Sequence, residues 1–226
     1  MRIHRLLRRV LAVILVVAVA ALPAAAATES LPEIAHSEIT GSEAEGRLGQ
    51  SLDGVGDFNG DGVDDLVIGG DGHAYVVLGG APGDITASAD EPRTIELRPA
   101  TPESRQTLEV SGAGDVDGDG LADVLVGIET ASPLGRRNAG SAYLVFGRSE
   151  GSIPIILDAV EAARVVRIDG AAKGDRAGAS VASAGDVDGD DIPDVILGAR
   201  LADDGSGKRR GAAYVLFGQA LDGRID

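Results

Sequence analysis

Oxygen-bearing side chains recur with one spacing in three short acidic segments. Counted from the first Asp of each segment, they stand at positions 1, 3, 5 and 9. They are Asp57, Asn59, Asp61 and Asp65; Asp115, Asp117, Asp119 and Asp123; and Asp186, Asp188, Asp190 and Asp194. Carboxylates that converge within a few ångströms repel one another unless a cation compensates their charge. The pattern therefore predicts three divalent cation sites.

Calcium is the cation that this ligand set favours, because it is a hard ion that accepts about six to eight oxygens in a loose geometry. A backbone carbonyl at position 7 would add a ligand in each loop. The residues at that position are Val63, Leu121 and Ile192. Position 6 is Gly62 or Gly120 in two loops, where glycine permits the positive φ of a sharp turn. In the third loop it is Asp191, which predicts a metal site that is strained or weaker than the other two.

The loops have two other possible interpretations. A helical calcium hand needs a bidentate acid at position 12, where this chain has apolar Ile68, Val126 and Leu197. That class is therefore excluded. The remaining alternative is three solvated turns that bind nothing, and the threefold recurrence of the same spacing disfavours it.

Short apolar runs surround every loop and predict β-strands. One run follows each loop and ends in Gly, and a second run closes each unit, as in Ala74–Gly79, Ala142–Gly147 and Ala213–Gly218. A further apolar element precedes each unit, at Glu33–Thr40, Thr94–Arg98 and Val165–Ile168. Four antiparallel strands per period of roughly sixty residues is the pattern of a propeller blade. The predicted fold is therefore all-β, with repeats at about 34–80, 93–147 and 164–218.

The composition bounds the function. The chain has 226 residues, with 20 Lys+Arg against 36 Asp+Glu, so its formal net charge is −16. An acidic surface of this kind repels phosphates, which argues against nucleic-acid binding. The 44% of apolar residues argues against disorder. The absence of Cys excludes disulfides, thiolate metal sites and cysteine nucleophiles.

The N-terminal residues 1–27 have the features of an export signal. Four Arg precede an unbroken apolar run at 10–22, and Pro23 with four Ala then supplies a cleavage region. The run is shorter than the ~20 residues that span a bilayer, so cleavage is favoured over a membrane anchor. We expect a secreted or cell-envelope protein, residues 28–226, with no transmembrane segment after cleavage.

Beyond the loops, the repeats share further short motifs. These are Arg47-Leu48-Gly49-Gln50-Ser51, Arg176-Ala177-Gly178-Ala179-Ser180, Gly198-Ala199-Arg200, Phe146-Gly147 and Phe217-Gly218. Together with the loops they resemble the FG-GAP repeat of integrin α-chain β-propellers and their bacterial relatives, over about residues 34–218. The resemblance implies calcium between the first two strands of each blade. It also implies ligand contacts on the opposite face, at loops between blades and between the second and third strands.

The number of repeats departs from the family pattern. Propellers of this family usually have seven blades, and even generic propellers need about four to close. The last six residues, 221–226, are too short to supply a fourth strand for the third repeat. We therefore expect an open arc that either oligomerises or belongs to a longer protein.

The favoured function is a secreted, calcium-stabilised, non-catalytic adhesion or ligand-binding module. Its partner would be a protein or glycan on the cell surface or in the matrix, with the basic turns at Arg136-Arg137 and Lys208-Arg209-Arg210 as candidate contacts. Solubilising turn residues are the alternative for those clusters. An accessory propeller of a secreted hydrolase and an architectural subunit also stay open. Catalysis by the chain itself is disfavoured, because it has no Gly-x-Ser-x-Gly elbow, and His36 and His73 have no obvious acid-base partner in the sequence.

Overall fold

Three antiparallel sheets follow one another along the chain, each built around one acidic loop. The structure is a computed structural model that describes residues 37–100, 106–149, 154–159, 164–203, 205 and 207–218. Its strands are β1 (Ile39–Gly41), β2 (Ser51–Gly56), β3 (Asp65–Gly69), β4 (Ala74–Val77), β5 (Ile85–Ala87), β6 (Thr94–Arg98), β7 (Glu109–Gly114), β8 (Asp123–Ile128), β9 (Ser141–Val145), β10 (Ile155–Ile156), β11 (Val165–Asp169), β12 (Ala177–Gly185), β13 (Asp194–Ala199) and β14 (Ala212–Leu216). A 3-10 turn at Pro133–Gly135 is the helical element of this part of the chain.

Each sheet is one propeller-type blade. Blade 1 has the order β2-β3-β4-β6, with β10 added in parallel at its outer edge, and blade 2 has the order β7-β8-β9-β11. Blade 3 contains β12-β13-β14 among the described residues. The predicted all-β architecture with antiparallel blades is confirmed.

The outer strand of a blade comes from the period that follows it. In blade 1, β6 pairs with β4 across the Val77–Thr94 register, and in blade 2, β11 pairs with β9 across Val145–Val165. The two sheets thus have the same construction. The sequence elements at 94–98 and 165–168, which precede a repeat along the chain, complete the sheet of the preceding repeat.

A glycine bulge ends the first strand of every blade. The ladder between the first two strands shifts by one residue just before Gly56, Gly114 and Gly185. These glycines have φ of 91°, 81° and 69°, which a residue without Cβ adopts easily. The bulge turns the chain out of the strand and into the acidic loop.

The hydrophobic core lies between the blades. Because side chains alternate along a strand, each blade has a forward face toward the next blade and a rear face toward the preceding one. Between blades 1 and 2, forward residues such as Val67 and Val76 pack with rear residues such as Val124 and Val126. Between blades 2 and 3, Leu125 and Leu144 are equivalent forward residues, and they pack in one cluster with rear residue Val195.

A two-stranded parallel ribbon covers the outer part of the rear face of blade 1. It pairs β1 with β5, and Ile39, Ile85 and Ala87 pack on Tyr75 and Val77. The sequence placed a fourth strand at Glu33–Thr40. Residues 33–36 lie outside the described residues, and Thr40 pairs with Thr86 in this ribbon.

The described residues contain no helix with the length and apolar character that crossing a membrane requires. The predicted signal at residues 1–27 lies outside the part of the chain that the structure describes.

Candidate metal centres

The first Asp of each acidic loop organises the loop through backbone hydrogen bonds. Asp57 Oδ1 accepts the N–H of Gly60 at 2.7 Å and that of Asp61 at 3.0 Å. Asp57 Oδ2 accepts the N–H of Gly62 at 2.8 Å. In the third loop Asp186 accepts the equivalent amides of Gly189, Asp190 and Asp191. The first and third loops therefore share one local fold, set by the Asp at position 1.

The sixth position needs a left-handed backbone in all three loops. Its φ is 83° at Gly62, 89° at Gly120 and 69° at Asp191. The expectation of a sharp turn is thus confirmed. Asp191 adopts a conformation that an L side chain rarely takes, so the third turn is more strained than the other two.

The Asp at the ninth position is a buried hydrogen-bond acceptor that links the loop to the third strand, which the sequence did not indicate. We call it the ninth-position staple. Asp123 is fully buried, and its Oδ2 accepts the N–H of Val116 at 2.8 Å. Its Oδ1 accepts the N–H of Gly147, two residues after the end of the third strand, at 2.9 Å. Asp65 binds Phe58 and Gly79 in the same way, and Asp194 binds Val187 and Gly218. This carboxylate joins the loop to the third strand of its blade.

The glycine that closes each third strand allows this close approach. A Cβ on Gly79 would lie 2.3 Å from the carbonyl oxygen of Asp64. A Cβ on Gly218 would lie 2.3 Å from Cγ2 of Ile192. The recurring glycine after Phe or Leu therefore serves the loop, because no side chain fits between the strand end and the loop.

Two of the three loops bring three carboxylates together. In the second loop, ligand atoms of Asp115, Asp117 and Asp123 lie within 4.8 Å of one another. In the third loop the same holds for Asp186, Asp188 and Asp194. These are positions 1, 3 and 9 of the predicted ligand set.

The other predicted ligands have local partners. At position 5, Asp119 Oδ1 accepts the N–H of Leu121 at 3.0 Å, and Asp190 Oδ1 accepts that of Ile192 at 2.9 Å. In the first loop, Asp61 Oδ1 accepts the N–H of Val63 at 2.9 Å. There the third position is an amide, and Asn59 Nδ2 donates to Asp61 Oδ2 at 2.9 Å. Position 5 thus fixes the backbone of position 7, whose carbonyl is the predicted ligand.

Burial and mutual repulsion perturb the clustered carboxyls. Burial raises the pKa of Asp123 to about 7, against the opposing effect of its two backbone donors. Burial also raises the pKa of Asp117, and the carboxylates of Asp119 and Asp115 add to that rise. The pKa of Asp188 is raised by desolvation and by Asp190. The pKa of Asp186 is lowered, chiefly by the N–H of Asp191.

The second loop contains an unsatisfied buried oxygen. Asp115 Oδ2 accepts the N–H of Gly120 at 2.9 Å, whereas Asp115 Oδ1 is buried and has no hydrogen-bond partner. A buried carboxylate oxygen without a donor is costly unless a cation contacts it. Together with Asp117 and Asp123, this oxygen fits a hard divalent cation.

Neighbouring loops also contact each other. The carbonyl of Asp57 accepts the N–H of Ala122 at 2.9 Å, and the carbonyl of Phe58 accepts the N–H of Arg148 at 2.8 Å. A Cβ on Gly60 would lie 3.1 Å from Cδ2 of Leu121. The loop of blade 2 thus packs directly on the loop of blade 1.

Comparison with protein families agrees with this construction. A model described as FG-GAP-like repeat matches residues 57–126, and the FG-GAP repeat model matches residues 109–145 and 177–216. These matches cover the three acidic loops and the strands that flank them, except β2 before the first loop. The chain belongs to the FG-GAP repeat family.

Similar proteins include integrin and phospholipase chains. The FG-GAP chain is 30% identical to integrin alpha-PS2 of Drosophila melanogaster over 182 residues, 73% of this chain and 12% of that protein. It is 32% identical to phosphatidylinositol-glycan-specific phospholipase D of Rattus norvegicus over 116 residues, 51% of this chain and 13% of that protein. It is 31% identical to the Homo sapiens enzyme over 111 residues, which are 49% of this chain and 13% of that protein. The chain therefore spans only about an eighth of the length of these relatives.

A histidine away from the loops has a partner that the sequence did not indicate. His73 Nδ1 lies 2.5 Å from Oε1 of Glu96, a buried residue on β6. The expectation that His73 lacks an acidic partner is therefore wrong; the two residues meet because β6 pairs with β4. His36 lies outside the described residues. The His73 ring also stacks on Tyr75 at a centroid distance of 6.4 Å.

Proposed function

We propose that this FG-GAP chain is an extracellular, calcium-binding, non-catalytic ligand-binding module. The observation that carries the proposal is the cluster of Asp115, Asp117 and Asp123 with its buried, unpaired Asp115 Oδ1. The equivalent cluster of the third loop supports it, as does the net charge of −16. A divalent cation supplies the positive charge that such a concentration of carboxylates lacks.

Calcium would be held by the oxygens at positions 1, 3, 5 and 9 and by the carbonyl at position 7 of each loop. Bound calcium would offset two of the negative charges of each loop and link the two strands that flank it. Asp123 already holds the end of β9, so the ion would couple loop and blade through one residue. We expect the second loop to bind more tightly than the third, where Asp191 strains the turn.

A thermal melt tests calcium binding. A ligand that binds only the folded chain raises the unfolding midpoint, because at free concentration L it stabilises that chain by RT ln(1 + L/Kd), which is about 1.4 kcal/mol per site at ten times Kd. Extracellular loops of this kind work at ~10⁻⁴ to 10⁻³ M calcium. We expect a higher Tm in millimolar calcium than in chelator, and a smaller rise in magnesium.

Matched variants assign the effect to a loop. Asp117→Asn removes one clustered carboxylate, and Asp188→Asn removes its equivalent in the third loop. Asp90→Asn removes the same charge from an exposed turn and should leave the calcium-dependent rise intact. A midpoint that does not respond to calcium in the unaltered chain would overturn the calcium proposal.

Secretion is the part of the proposal that the predicted signal at residues 1–27 supports. The expected result is a protein in the culture medium or cell envelope that begins near residue 28, measured by intact mass. An uncleaved chain that stays inside the cell with residues 1–27 attached would contradict secretion.

The proposed ligand face lies at the blade ends away from the metal loops. Strand β12 starts there at Ala177 and runs toward the third loop at its other end. The guanidinium of exposed Arg209 lies beside Gly174, since its Nη2 would be 3.3 Å from a Cβ there, and exposed Lys173 precedes that glycine in the chain. The N–H of Gly174 donates to the carbonyl of exposed Arg137 at 3.1 Å. Three cations on a strongly acidic chain favour an anionic partner, such as an acidic glycan or protein.

Arg136 differs from this group although it lies next to Arg137. Its Nε donates to the carbonyl of Gly170 at 3.1 Å, and its guanidinium lies 3.7 Å from Asp169. We therefore assign Arg136 to the structure of the turn rather than to ligand contact.

Retention on immobilised heparin tests the ligand face. The combined variant Arg137→Glu, Lys173→Glu and Arg209→Glu should elute at lower salt than the unaltered chain. Arg136→Glu serves as the control for a neighbouring charge and should change stability more than retention. Equal retention of the unaltered and triple variants would remove the basic cluster from the ligand proposal.

A second candidate is an accessory propeller that accompanies a secreted hydrolase. The similarity to phosphatidylinositol-glycan-specific phospholipase D favours it. Under either proposal the chain itself is expected to release no product from a phosphatidylinositol-glycan substrate. Hydrolysis that survives replacement of His73 and Glu96 as well as the loop Asp residues would require a catalytic centre outside both groups.

A further inference from the structure

Exposed apolar side chains are concentrated on the two end blades. Among the described residues, eight large apolar side chains are exposed, and seven of them belong to blade 1 or blade 3. They are Leu52, Val63 and Leu66 of blade 1, Val187, Tyr214, Val215 and Phe217 of blade 3, and Leu134 in a turn of blade 2. Isolated apolar residues are ordinary on a protein surface, but a grouped set marks an interaction site.

The forward face of blade 3 exposes residues that are buried in the other blades. Val187 follows the first Asp of its loop and is 57% exposed, whereas the equivalent Phe58 and Val116 are 0% exposed. Val215 on β14 is 41% exposed, whereas the equivalent Val76 and Leu144 are fully buried. Burial in blades 1 and 2 comes from the next blade along the chain, so the forward face of blade 3 has the composition of a covered face.

The rear face of blade 1 shows the complementary pattern. Leu52 is 68% exposed and Leu66 is 45% exposed. The residues equivalent to them in blade 2, Val110 and Val124, are buried against blade 1. Val63 of the first loop is also exposed, whereas the equivalent Leu121 packs on Gly60 of the preceding loop.

We infer that the forward face of blade 3 binds the rear face of blade 1 in a second copy of this chain. The repeats make these two faces equivalent to pairs that already pack together twice within the chain, so the contact would continue an existing interface. Made reciprocally by two copies, it joins the three described blades of each copy into one ring of six, within the range of four to eight blades at which propellers close. Head-to-tail contacts of this kind form closed rings when the rotation allows it.

The β1–β5 ribbon is compatible with this contact. It covers the outer part of the rear face, over Tyr75 and Val77, and leaves Leu52 and Leu66 exposed near the inner strand. Between blades 1 and 2 the chain also inserts extra residues at the outer edge, where β10 pairs with β6 and Leu157 joins the core. Neighbouring blades thus accommodate a segment between them at the periphery.

Sedimentation of the purified chain tests the inference, with three variants at exposed apolar positions. We expect twice the single-chain mass for the unaltered protein and the single-chain mass for both Val215→Asp and Leu52→Asp. Leu134→Asp places the same charge on an exposed Leu outside both faces and should keep the double mass. Circular dichroism of each variant checks that the blades remain folded.

A mixture of the two interface variants supplies the decisive measurement. One contact in a mixed pair joins an unaltered blade 3 to an unaltered blade 1, so Val215→Asp and Leu52→Asp together should recover a two-chain species. A single-chain mass for the unaltered protein would overturn the inference. Dissociation by Val215→Asp but not by Leu52→Asp would overturn it too, because that result describes a symmetric contact of blade 3 alone.

Discussion

Blades 2 and 3 have the same sequence pattern and different surroundings. Leu144 of blade 2 is buried between Val166 of its own sheet and the rear face of blade 3. Val215, the equivalent residue of blade 3, has neither an outer strand beside it nor a following blade over it among the described residues. The comparison shows that burial in a repeat protein is a property of neighbouring repeats rather than of the residue pattern within one of them.

Truncation of equivalent side chains should give the largest difference in stability loss between the two blades. Leu144→Ala leaves a cavity in a packed interface, and large-to-small changes of this type cost about 2–5 kcal/mol. Val215→Ala truncates an exposed side chain and should change the unfolding free energy by less than about 0.5 kcal/mol. Urea unfolding measures both, at a dilution where the chain is a monomer. Equal losses of stability would contradict the comparison.

The ninth-position staple gives a smaller difference between the blades. Asp123→Ala leaves the buried N–H groups of Val116 and Gly147 without an acceptor, at a cost of about 1–3 kcal/mol for an unsatisfied group. Asp194→Ala should cost less, because Val187 is exposed and water can replace the carboxylate at its N–H. The measurement is the unfolding free energy in chelator, so that metal binding does not contribute. An equal loss of unfolding free energy in both variants would show that water does not replace the carboxylate at the N–H of Val187.

The ion pair between blades 2 and 3 gives the smallest effect and adds a pH dependence. Glu129 Oε2 accepts a hydrogen bond from Nε–H of Arg200 at 2.7 Å. This hydrogen bond is the main cause of the lowered pKa of Glu129, and the positive charge of Arg176 adds to it. Because the folded pKa is lowered, the pair stabilises the fold above the ordinary glutamate pKa and stops doing so as the pH falls through the folded value. Arg200 is more than half exposed, so Glu129→Gln should cost less than about 1 kcal/mol near neutrality. The difference between variant and unaltered chain should vanish in acid, and a difference that grows in acid would contradict the assignment.

The sequence predicted the parts of the fold that depend on local spacing. The acidic loops, the apolar runs beside them and the outer strands at 94–98 and 165–168 all lie where the pattern indicated. The left-handed turn at position 6 was also predictable, because its backbone conformation depends on the loop alone. Antiparallel pairing then followed from the short connections between strands.

The parts that the sequence did not predict depend on distant residues. The β1–β5 ribbon pairs residues 46 positions apart in the chain over only three residues, which leaves little periodicity to detect. Glu96 meets His73 only because β6 returns to the sheet of the preceding repeat. The spacing of the ninth-position Asp indicates only a metal ligand, because its hydrogen bond to Gly147 crosses 24 residues.

The offset between sequence repeats and blades has a consequence for how such chains change in length. Strand β6 meets β4 across Val77 and Thr94, and β11 meets β9 across Val145 and Val165. A deletion from the start of β6 to the residue before β11 would bring Val165 into the place of Thr94. Blade 1 would then close with β11, and the chain would continue directly into blade 3. Whole periods can therefore be lost or duplicated in a gene without breaking a sheet.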